Sequence, residues 1–475
     1  SGPGGLQASY CLTRLGVGHA VISQDEQPGG MFQRLPIFQR LLSWTKPDAP
    51  AERGTRAYEW YDHNSLLGDE AEHQALLPPL MDRSYVVPSR PEMEAGLAAF
   101  AERGDVHVRY GCRWESTRRA DDGFILGTSD GEYRCRVAIF ALGVTDPWKS
   151  DIAGVETVPH YVETRAPREY MGKRVVVIGK RNSAFEIADG LLPWARQILL
   201  VSPRPVQTAV LALSTVRVRY MQPLEDHQLG GGTFALDAAI ERVERTANGF
   251  RIDARGTTRE GEVTIEADEA IAATGFRTPL QDLPSLGVET VGQGRIPALT
   301  PFWESVGARG IYFAGNPTQG AAGLRKHGVA SASAAVHGFR YNARVLAGHI
   351  AATHFGVQPE RRSLRSEAIV PWLLAELAHA PELWAQKGYL AHVVSFEDGG
   401  ATDDGIQPLA HFVDSPGPDA VAATVEANAQ AEIYPVVYVR RAGAVEERVL
   451  PADALHAFES EEHRRELAGA LTGLV

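Results

Sequence analysis

Two glycine-rich turns constrain this chain more than any other feature of its sequence. The first is SGPGGLQAS at 1–9, and the second is VVVIGKRNSAFEIADGL at 175–191. In dinucleotide-binding folds such glycines make a tight strand-to-helix turn and let the backbone approach a pyrophosphate. The phosphates then meet free N–H groups at the helix N-terminus. The two turns therefore predict two α/β units that each bind a dinucleotide.

The first turn starts at the first residue, so the buried strand that should precede it would fall before Ser1. We expect that the missing residues include the first glycine of the motif and that dinucleotide binding depends on that strand. The predicted phosphate contacts are Gly2, Pro3, Gly4 and Gly5. A simple helix-capping turn is the alternative interpretation.

A further glycine turn, PGGMF at 28–32, follows a predicted strand at 19–24. Its predicted cofactor contacts are Gly29, Gly30, Met31 and Phe32. An acidic residue normally ends such a strand and holds the ribose hydroxyls. Counted back from the glycines, that position falls at Ser23, and Asp25 or Glu26 is close enough to substitute.

The second motif departs from the common pattern at its centre. Gly179 and Ala184 take the outer positions, whereas Arg181 stands where the middle glycine is expected. A guanidinium at that position either crowds the pyrophosphate or binds it. The predicted contacts along this turn are Gly179, Arg181, Asn182, Ser183 and Ala184.

Ser202 and Arg204 follow the next predicted strand, QILLVS, at 197–202. A serine and an arginine without an acid suit the 2′-phosphate of NADPH better than the free ribose of NADH. The sequence therefore predicts NADPH as the nucleotide of the second unit. An arginine on a surface loop is the alternative interpretation.

Three further strands end in small-residue turns: FALG at 140–143, AATGF at 272–276 and YFAGN at 312–316. Such turns occur where the chain crosses between the nucleotide domains of flavoproteins. We expect Thr274 and Gly275 to contact a cofactor. We expect Gly315 and Asn316 to hold the flavin ribityl or phosphate, because the asparagine amide both donates and accepts hydrogen bonds.

The composition restricts the class of protein. The chain has 475 residues, enough for two or three domains, and its 44% hydrophobic and 22% charged content is typical of a soluble globular enzyme. No apolar run reaches the length of a membrane span, and we expect a cytoplasmic protein. The net charge is -12, and residues 360–475 hold 19 acidic against 9 basic residues, which argues against nucleic acid as a partner.

The cysteines indicate what chemistry to exclude. Cys11, Cys112 and Cys135 are isolated, with no C-x-x-C pair. This spacing gives no support to a disulphide framework, a zinc site or a dithiol redox pair. It suits a reducing compartment, and we expect no bound metal.

The order of the motifs predicts an α/β protein with two Rossmann-like dinucleotide-binding domains, for FAD and NADPH, plus a C-terminal α+β module. The predicted FAD-binding domain comprises 1–160 and 297–356, the NADPH-binding domain 161–296 and the module 357–475. Helices are predicted at 91–103, 330–351, 366–385, 419–429 and 459–471, and a β-rich stretch at 208–264.

Together the motifs resemble those of the class B flavin-containing monooxygenases and their N-hydroxylating relatives. The resemblance rests on SGPGGL, PGGMF, GKRNSAFE, AATGF and YFAGN and covers roughly residues 1–350. The segment RAYEWYDHNSLL at 56–67 is similar to one in FOXRED-type FAD-dependent oxidoreductases. The family signature F-x-G-x-x-x-H-x-x-x-W/Y is matched only in part: Gly154 and His160 are present, but at a different spacing.

This resemblance implies FAD and NADPH as cofactors, with molecular oxygen and a small molecule as substrates. It implies heteroatom oxygenation, such as N-hydroxylation, through a C4a-hydroperoxyflavin, chemistry that belongs to the cofactor. The candidate catalytic residues are Asn64, with its neighbour His63 near the flavin, and Lys46, which would meet NADP⁺ or an acidic substrate; a structural role is the alternative for each. A predicted water-excluding wall, with core packing as the alternative, consists of Trp44, Tyr58, Trp60 and Tyr61.

Two other functions stay open at this point. One is an NADPH-dependent flavin reductase or oxidase without oxygen insertion, which the FOXRED-type similarity and the altered signature favour. The other is a non-catalytic nucleotide-binding protein, for which Ser23, Arg181 and Asn316 are the arguments. Neither the substrate nor a homo-oligomer can be read from the sequence. Three histidines are interpreted as packed or solvated rather than as bases: His160, His327 and His337.

Overall fold

The computed structural model describes residues 1–35, 40–207, 218–324, 326, 331–397, 399–428, 430 and 432–474. Within them the α-helices are α1 (Pro3–Arg14), α2 (Arg56–Glu59), α3 (Arg90–Arg103), α4 (Asn182–Leu191), α5 (Val218–Leu229), α6 (Val336–Phe355), α7 (Ser366–His379), α8 (Pro381–Ala385), α9 (Leu409–Asp414) and α10 (Glu461–Ala470). The strands in the first 150 residues are β1 (Val21–Ile22), β2 (Val108–Arg109), β3 (Trp114–Ala120), β4 (Gly123–Thr128), β5 (Gly131–Cys135), β6 (Ala138–Phe140) and β7 (Asp146–Pro147).

The remaining strands follow in two groups. Up to residue 313 they are β8 (Arg174–Ile178), β9 (Gln197–Ser202), β10 (Thr233–Thr246), β11 (Gly249–Gly256), β12 (Glu262–Ala267), β13 (Glu269–Ala272), β14 (Phe276–Arg277), β15 (Thr290–Val291), β16 (Ile296–Pro297) and β17 (Ile311–Phe313). After α6 they are β18 (Arg362–Leu364), β19 (Leu390–Glu397), β20 (Gly400–Pro408), β21 (Ala420–Ala427), β22 (Ile433–Arg441) and β23 (Ala444–Val449).

The chain divides into two compact units, each with one of the two glycine motifs. The larger comprises Ser1–Gln33, Ser43–Val144 and Thr278–Val475, and the smaller comprises Arg34–Leu42 and Thr145–Arg277. The predicted fold class is confirmed: the protein is α/β, with two Rossmann-like units and a C-terminal α+β module. The domain boundaries drawn from the sequence stay a prediction.

The smaller unit is built on a six-stranded sheet with the order β12-β11-β10-β9-β8-β13. Strands β13, β8, β9 and β10 run parallel, and β10, β11 and β12 run antiparallel. The residues of β8 from Val175 to Ile178 are all buried, as expected for a parallel strand covered on both faces. Helix α4 packs Phe185, Ile187 and Leu191 into the core beside them. The carboxyl ends of β8 and β9 thus lie side by side, where open α/β sheets bind ligands.

In the larger unit, α1 packs against α6, and short parallel pairs join β6 to β17 and β1 to β2. Strands β3, β4 and β5 form an antiparallel sheet. The predicted helix at 91–103 is confirmed as α3. A capping box between Ser89 and Glu92 fixes its start, because each side chain accepts a hydrogen bond from the other's backbone N–H.

The C-terminal module is a six-stranded antiparallel sheet with the order β18-β20-β19-β21-β22-β23. Helices α7 and α10 cover one face and bury Leu373, Leu377 and Leu467 against it. The predicted helices at 366–385 and 459–471 are confirmed, the first as two helices separated by one residue, Ala380. Pro381 starts the second of them, as expected for a proline at the first helical position.

The predicted helix at 419–429 is wrong, because Ala420–Ala427 is the central strand β21. All eight of its residues are buried, with β19 paired on one side and β22 on the other. Alanine favours helices in isolation. Small residues also fit a strand that is covered on both faces, and here the tertiary packing decides.

The predicted β-rich stretch at 208–264 is wrong at 218–229, where α5 lies; residues 208–217 are outside the described part of the chain. Leu224 is buried in the core that α4 and the sheet form, and this burial of one helical face favours the helix. Helix α6 begins at Val336 rather than at 330, after a 3₁₀ turn over Ala332–Ala334. His327 also lies outside the described residues.

Among the described residues, no helix combines the length and the apolar character needed to cross a membrane. The same residues bring together no cluster of three histidine, cysteine or acidic side chains that could hold a metal ion.

Candidate functional site

The first glycine turn opens a helix whose leading amides are free to bind an anion. Helix α1 begins at Pro3 with Gly2 as its N-cap, and no side chain caps it. The Leu6 N–H donates to the Gly2 carbonyl at 3.1 Å as the first bond of the helix. The N–H groups of Gly4 and Gly5 therefore have no carbonyl partner within the helix. Aligned amides and the helix dipole favour phosphate at such an end.

The turn after β17 closes on the same helix end. A Cβ on Gly4 would lie 2.4 Å from the Cα of Gly315 and 2.6 Å from its nitrogen, so the two backbones are in contact. The Ala314 N–H donates to the Phe140 carbonyl at 3.2 Å, which brings the FALG turn to this edge. Asn316 follows, half-buried, at the start of a 3₁₀ helix over Asn316–Gly320. The structure thus brings together three of the predicted turns: the first glycine turn, FALG at 140–143 and YFAGN at 312–316.

The turn at Gly29 and Gly30 lies at this edge as well. The Gly29 N–H donates to the Ser1 carbonyl at 3.1 Å. Met31 and Phe32 are half-buried in the 3₁₀ helix Gly30–Arg34. The second glycine pair of the chain therefore contacts the first turn.

A carboxylate lies just beyond β1. Asp25 accepts hydrogen bonds from the Ser1 hydroxyl at 2.7 Å and from the Ser23 hydroxyl at 3.2 Å. Ser23 and Asp25, two of the three residues that the sequence offered here, are thus hydrogen-bonded to each other, and contact of either with a ribose stays a prediction. The pyrophosphate and ribose of a dinucleotide require free helix amides, a backbone that the phosphates can approach without a side chain in the way, and a carboxylate. These residues therefore fit FAD.

The second motif has the same construction in the smaller unit. Gly179 has a φ of +136°, and a Cβ there would lie 2.5 Å from the Ala273 carbonyl oxygen, so only glycine fits. Helix α4 begins directly after Arg181, and Ala184 is fully buried. Asn182 and Ser183 form its first turn and are half-buried. No side chain caps α4, so its leading amides also fit a pyrophosphate.

Arg181 is the N-cap residue of α4, with an extended backbone and an exposed side chain. Replacing Arg181 with glycine should weaken NADPH and NADH binding alike, because both nucleotides carry the pyrophosphate. The loss of a charge-assisted hydrogen bond should cost about 1.5–3 kcal/mol. Dissociation constants from nucleotide titration measure the effect.

Arg181→Lys, which keeps the charge, is the matched variant and should retain most of the affinity. Unchanged or tighter binding by Arg181→Gly would mean that the side chain only crowds the turn.

Ser202 ends β9, and Arg204 follows it on the surface. Asp237 of β10 lies opposite Ser202 in the parallel register, an acid that the sequence analysis missed. It forms an ion pair with the buried Lys180 and accepts a hydrogen bond from the Thr258 hydroxyl at 2.7 Å. The Lys180 hydrogen bond holds the pKa of Asp237 below its ordinary value. Contact of Arg204 with a 2′-phosphate stays a prediction.

Thr274 and Gly275 follow β13 and are tied to their own unit. The Thr274 hydroxyl donates to the Trp148 carbonyl at 2.5 Å. The Gly275 carbonyl accepts from the Trp148 N–H at 3.0 Å and from His160 Nε2 at 2.9 Å. His160 is buried, and this burial lowers its pKa, so it is a packed histidine as expected. Contacts of Thr274 and Gly275 with a cofactor stay a prediction.

Asn64 holds the loop at 43–45. Only 4% of Asn64 is exposed, and its Nδ2 group donates to the Ser43 carbonyl at 3.0 Å, the Trp44 carbonyl at 3.2 Å and the Thr45 hydroxyl at 3.0 Å. The amide hydrogens are therefore engaged within the protein. Asn64 thus stabilises the loop at 43–45, and its assignment as a catalytic residue stays a prediction.

The loop that Asn64 holds carries one end of a stack of three rings. His63 lies between Trp44, with ring centroids 4.6 Å apart, and His337 of α6, with centroids 4.7 Å apart. Burial lowers the pKa of His63 to about 2, so this ring is neutral at pH 7. Trp44 is 43% exposed, and the stack is therefore a wall that is open to solvent at one end. His337 belongs to this wall, as a packed histidine.

The other aromatic residues of the predicted wall have separate places. Tyr58 is buried, and its hydroxyl donates to the Lys46 carbonyl at 2.9 Å. Trp60 packs edge-on against Trp384 of the C-terminal module, with centroids 5.2 Å apart. The exposed Lys46 ammonium lies 5.3 Å from the Trp44 ring centroid and 5.8 Å from that of Tyr61. Core packing explains Tyr58, whereas Trp44 and Lys46 face solvent.

Arg340, which was not predicted from the sequence, holds the backbone of residues 59–65 in place. It is 2% exposed and donates to the carbonyls of Asp62 at 2.7 Å, Ser65 at 2.8 Å and Glu59 at 3.2 Å. Its position in α6, four residues before Arg344, gave no signal for such a role, because arginines on helices are usually exposed.

The chain is similar in sequence to several known proteins. The family model described as pyridine nucleotide-disulphide oxidoreductase matches residues 1–315. FAD-dependent oxidoreductase domain-containing protein 2 of Danio rerio is 25% identical over 83% of this chain and 64% of its own length. The chain thus spans just under two thirds of that relative. A ferredoxin–NADP reductase of Ralstonia pickettii is 29% identical over 66% of this chain and 78% of its own.

Among solved structures, the flavin-containing monooxygenase from Stenotrophomonas maltophilia is similar in fold. The two chains superpose with a TM-score of 0.55 at 20% identity, over 74% of this chain and 96% of that one. At this identity the likeness concerns the fold alone.

Proposed function

The chain belongs to the pyridine nucleotide-disulphide oxidoreductase family, and from this we propose that it is an FAD- and NADPH-dependent monooxygenase of a small molecule. It is a flavin-dependent oxidoreductase, and its cofactors are FAD and NAD(P)H. The parts that we propose are the oxygenation, with nitrogen or another soft heteroatom as acceptor, and the choice of NADPH. FAD supplies hydride uptake and oxygen activation when it is bound.

The observation that carries the proposal is the ring stack of Trp44, His63 and His337, in which the His63 imidazole is neutral. Oxygenation needs a pocket that excludes water and stray protons until the substrate reacts. A wall of an indole and a neutral imidazole meets that need, since burial lowers the pKa of His63 to about 2. Arg340 and Asn64 hold the backbone behind the wall through the hydrogen bonds described above.

The cysteines give a second line of support. Cys11, Cys112 and Cys135 are all free thiols, and the first two are buried. Burial raises the pKa of the Cys11 thiol, so it stays protonated and unreactive. Residues 1–475 contain no C-x-x-C pair. The described thiols are therefore poor candidates for a dithiol relay, so a disulphide is not the electron acceptor that we propose.

The test counts electrons and oxygen. The protein is purified with FAD, NADPH is added in air, and NADPH, oxygen and hydrogen peroxide are measured with amine and sulphide substrates in turn. The proposal expects at least one compound to give an oxygenated product and less peroxide. Stoichiometric peroxide with every compound would contradict it.

A second candidate is an NADPH-dependent reductase or oxidase that inserts no oxygen. The similarity to the ferredoxin–NADP reductase of Ralstonia pickettii over 66% of the chain favours it. An artificial one-electron acceptor such as ferricyanide separates the two functions. A reductase reduces it rapidly and forms no oxygenated product under air. A protein that stays colourless with FAD would instead support a non-catalytic role.

Replacing Asn64 with alanine should uncouple the reaction. Loss of the bonds to Ser43, Trp44 and Thr45 frees the loop that carries one side of the wall. We expect NADPH oxidation to continue within about threefold of the original rate. A change of this size needs only a small change in activation free energy, because each tenfold change in rate corresponds to about 1.4 kcal/mol. Peroxide should replace most of the product. The product-to-peroxide ratio at saturating NADPH measures the effect.

Asn248→Ala, in the exposed turn between β10 and β11, is the control and should leave this ratio unchanged. A ratio that stays the same in Asn64→Ala would remove the loop from the oxygenation pocket.

A further inference from the structure

A small cavity lies beside the segment 62–65, which carries His63 of the ring stack. The lining of this cavity includes Asp62 of the segment, Gln74 of the following loop and Arg340 of α6. The space open to the centre of a water molecule is about 10 Å³. A cavity of this size has room for one water molecule and for no larger ligand.

The Asp62 carboxylate faces this cavity with one oxygen that lacks a donor. Asp62 is 2% exposed, and its Oδ1 accepts from the Thr45 hydroxyl at 2.9 Å. The same oxygen accepts from the N–H groups of Asn64 at 3.1 Å and Ser65 at 3.0 Å. No group of the described residues donates to Oδ2, which is also buried. Because a buried carboxylate oxygen without a hydrogen bond is costly, this oxygen favours a donor in the cavity.

Arg340 offers one N–H group to the same cavity. Its Nη1 is used by the carbonyls of Asp62 and Ser65. Its Nη2 is used by the Glu59 carbonyl and by the Tyr341 hydroxyl. The Nε atom is buried and has no acceptor in the part of the chain that the structure describes. The guanidinium therefore leaves one donor that needs a partner.

Gln74 supplies the third group. Its Nε2 donates to the Gly68 carbonyl at 2.8 Å, and this bond sets the orientation of the amide. The other end of the amide, Oε1, is buried and receives no hydrogen bond from a described residue. The cavity thus presents one donor and two acceptors on three different side chains.

The identity of the ligand follows from these three groups. A ligand that satisfies all of them accepts one hydrogen bond and donates two, as a water molecule does, and buried waters typically make about three hydrogen bonds. An ammonium ion accepts none. A metal cation would face the N–H group of Arg340, and an anion would face the carboxylates of Asp62 and Glu59, which also lines the cavity.

We propose that this cavity is a site for one bound water molecule, which accepts from Arg340 Nε and donates to Asp62 Oδ2 and Gln74 Oε1. The water joins three parts of the chain that are distant in sequence: the segment 62–65, the loop at 74 and α6. A site of this kind has the same role whether the protein is a monooxygenase or a reductase.

The bound water holds the segment 62–65 through Asp62. The N–H groups of Asn64 and Ser65 donate to the carboxylate oxygen opposite the water. A carboxylate fixed by the water therefore also fixes these two amides. The water is in this way a positioning element for the segment that carries His63.

The first test is a crystal structure of the FAD-bound protein at a resolution that shows ordered waters. We expect one density peak at hydrogen-bond distance, about 2.6–3.2 Å, from Asp62 Oδ2, Gln74 Oε1 and Arg340 Nε. A direct bond from Arg340 Nε to Asp62, with no density in the cavity, would overturn the proposal. So would a peak with oxygen contacts of about 2.3–2.5 Å, which indicate a cation.

The second test measures amide hydrogen exchange in solution by mass spectrometry, and it uses Gln74 because this residue is only half-buried. Gln74→Met removes one acceptor of the water at nearly constant size. We expect the density peak to disappear and the amides of Asn64 and Ser65 to exchange about 3- to 10-fold faster, as for the loss of one net hydrogen bond.

Two variants separate the water from other effects of the change. Gln74→Glu also loses the bond to the Gly68 carbonyl but keeps an acceptor toward the cavity, so it should keep both the peak and the slower exchange. Gln407→Met is the control, since this half-buried amide donates to the Asp404 carbonyl at 3.4 Å, and it should change neither. Unchanged exchange in Gln74→Met, or equal acceleration in Gln74→Glu, would show that the water does not hold the segment.

Discussion

Replacing Gly4 with alanine should leave the protein largely without flavin. A Cβ at this position would lie 2.4 Å from the Cα of Gly315, where two backbones, and no movable side chain, are in contact. To relieve the clash, α1 or the turn after β17 must shift, at a cost of about 1–3 kcal/mol. The same shift displaces the helix amides from the phosphates, so FAD affinity should fall roughly tenfold or more. Flavin content and the free energy of unfolding measure the two effects.

Gly348→Ala is the matched control for this change. It lies in α6, and a Cβ there would meet nothing within 4 Å. Removal of a glycine from a helix interior should stabilise the protein by about 0.5–1 kcal/mol and leave flavin content unchanged. Full flavin occupancy in Gly4→Ala would show that α1 does not carry the phosphate contacts.

The two glycine turns and the helices that follow them were predictable from sequence because they are local features. A glycine turn, the helix after it and the strand before it lie within about 20 residues, so the pattern and the structure nearly coincide. Gly4, Gly179 and Gly315 are each glycine for a reason that neighbouring backbone atoms impose. Positions at which the sequence departs from the dinucleotide motif, such as Ser23 and Arg181, were harder to interpret from sequence. The sequence left Asp25 and Glu26 as alternatives to Ser23, and the structure shows the hydrogen bond between Ser23 and Asp25.

The remaining features depend on contacts between distant parts of the chain. Asn64 acts on residues about 20 positions away, and Arg340 on residues about 280 positions away. The alanine-rich segment at 420–427 is a strand only because β19 and β22 flank it. Local propensity holds no information about such partners.

Replacing Arg204 with alanine should weaken NADPH binding much more than NADH binding. The two nucleotides differ only in the 2′-phosphate, and the loss of a charge-assisted bond to it should cost about 1.5–3 kcal/mol. The Michaelis constant for NADPH should therefore rise roughly 10- to 100-fold while that for NADH changes little. This selectivity differs from the Arg181→Gly expectation, in which both nucleotides lose affinity together. Initial rates of flavin reduction at varied nucleotide concentration measure both constants.

The control for Arg204 is an arginine at the other end of the same strand. Arg196 immediately precedes β9 and is exposed, so it matches Arg204 in type and solvent contact. A strand of this length separates the two positions by roughly 20 Å, beyond the screening length of physiological salt. Arg196→Ala should therefore leave both Michaelis constants unchanged. If Arg204→Ala also leaves the ratio of the two Michaelis constants unchanged, Arg204 does not bind the 2′-phosphate. Lys180 would then serve only to balance Asp237 in a site that accepts either nucleotide.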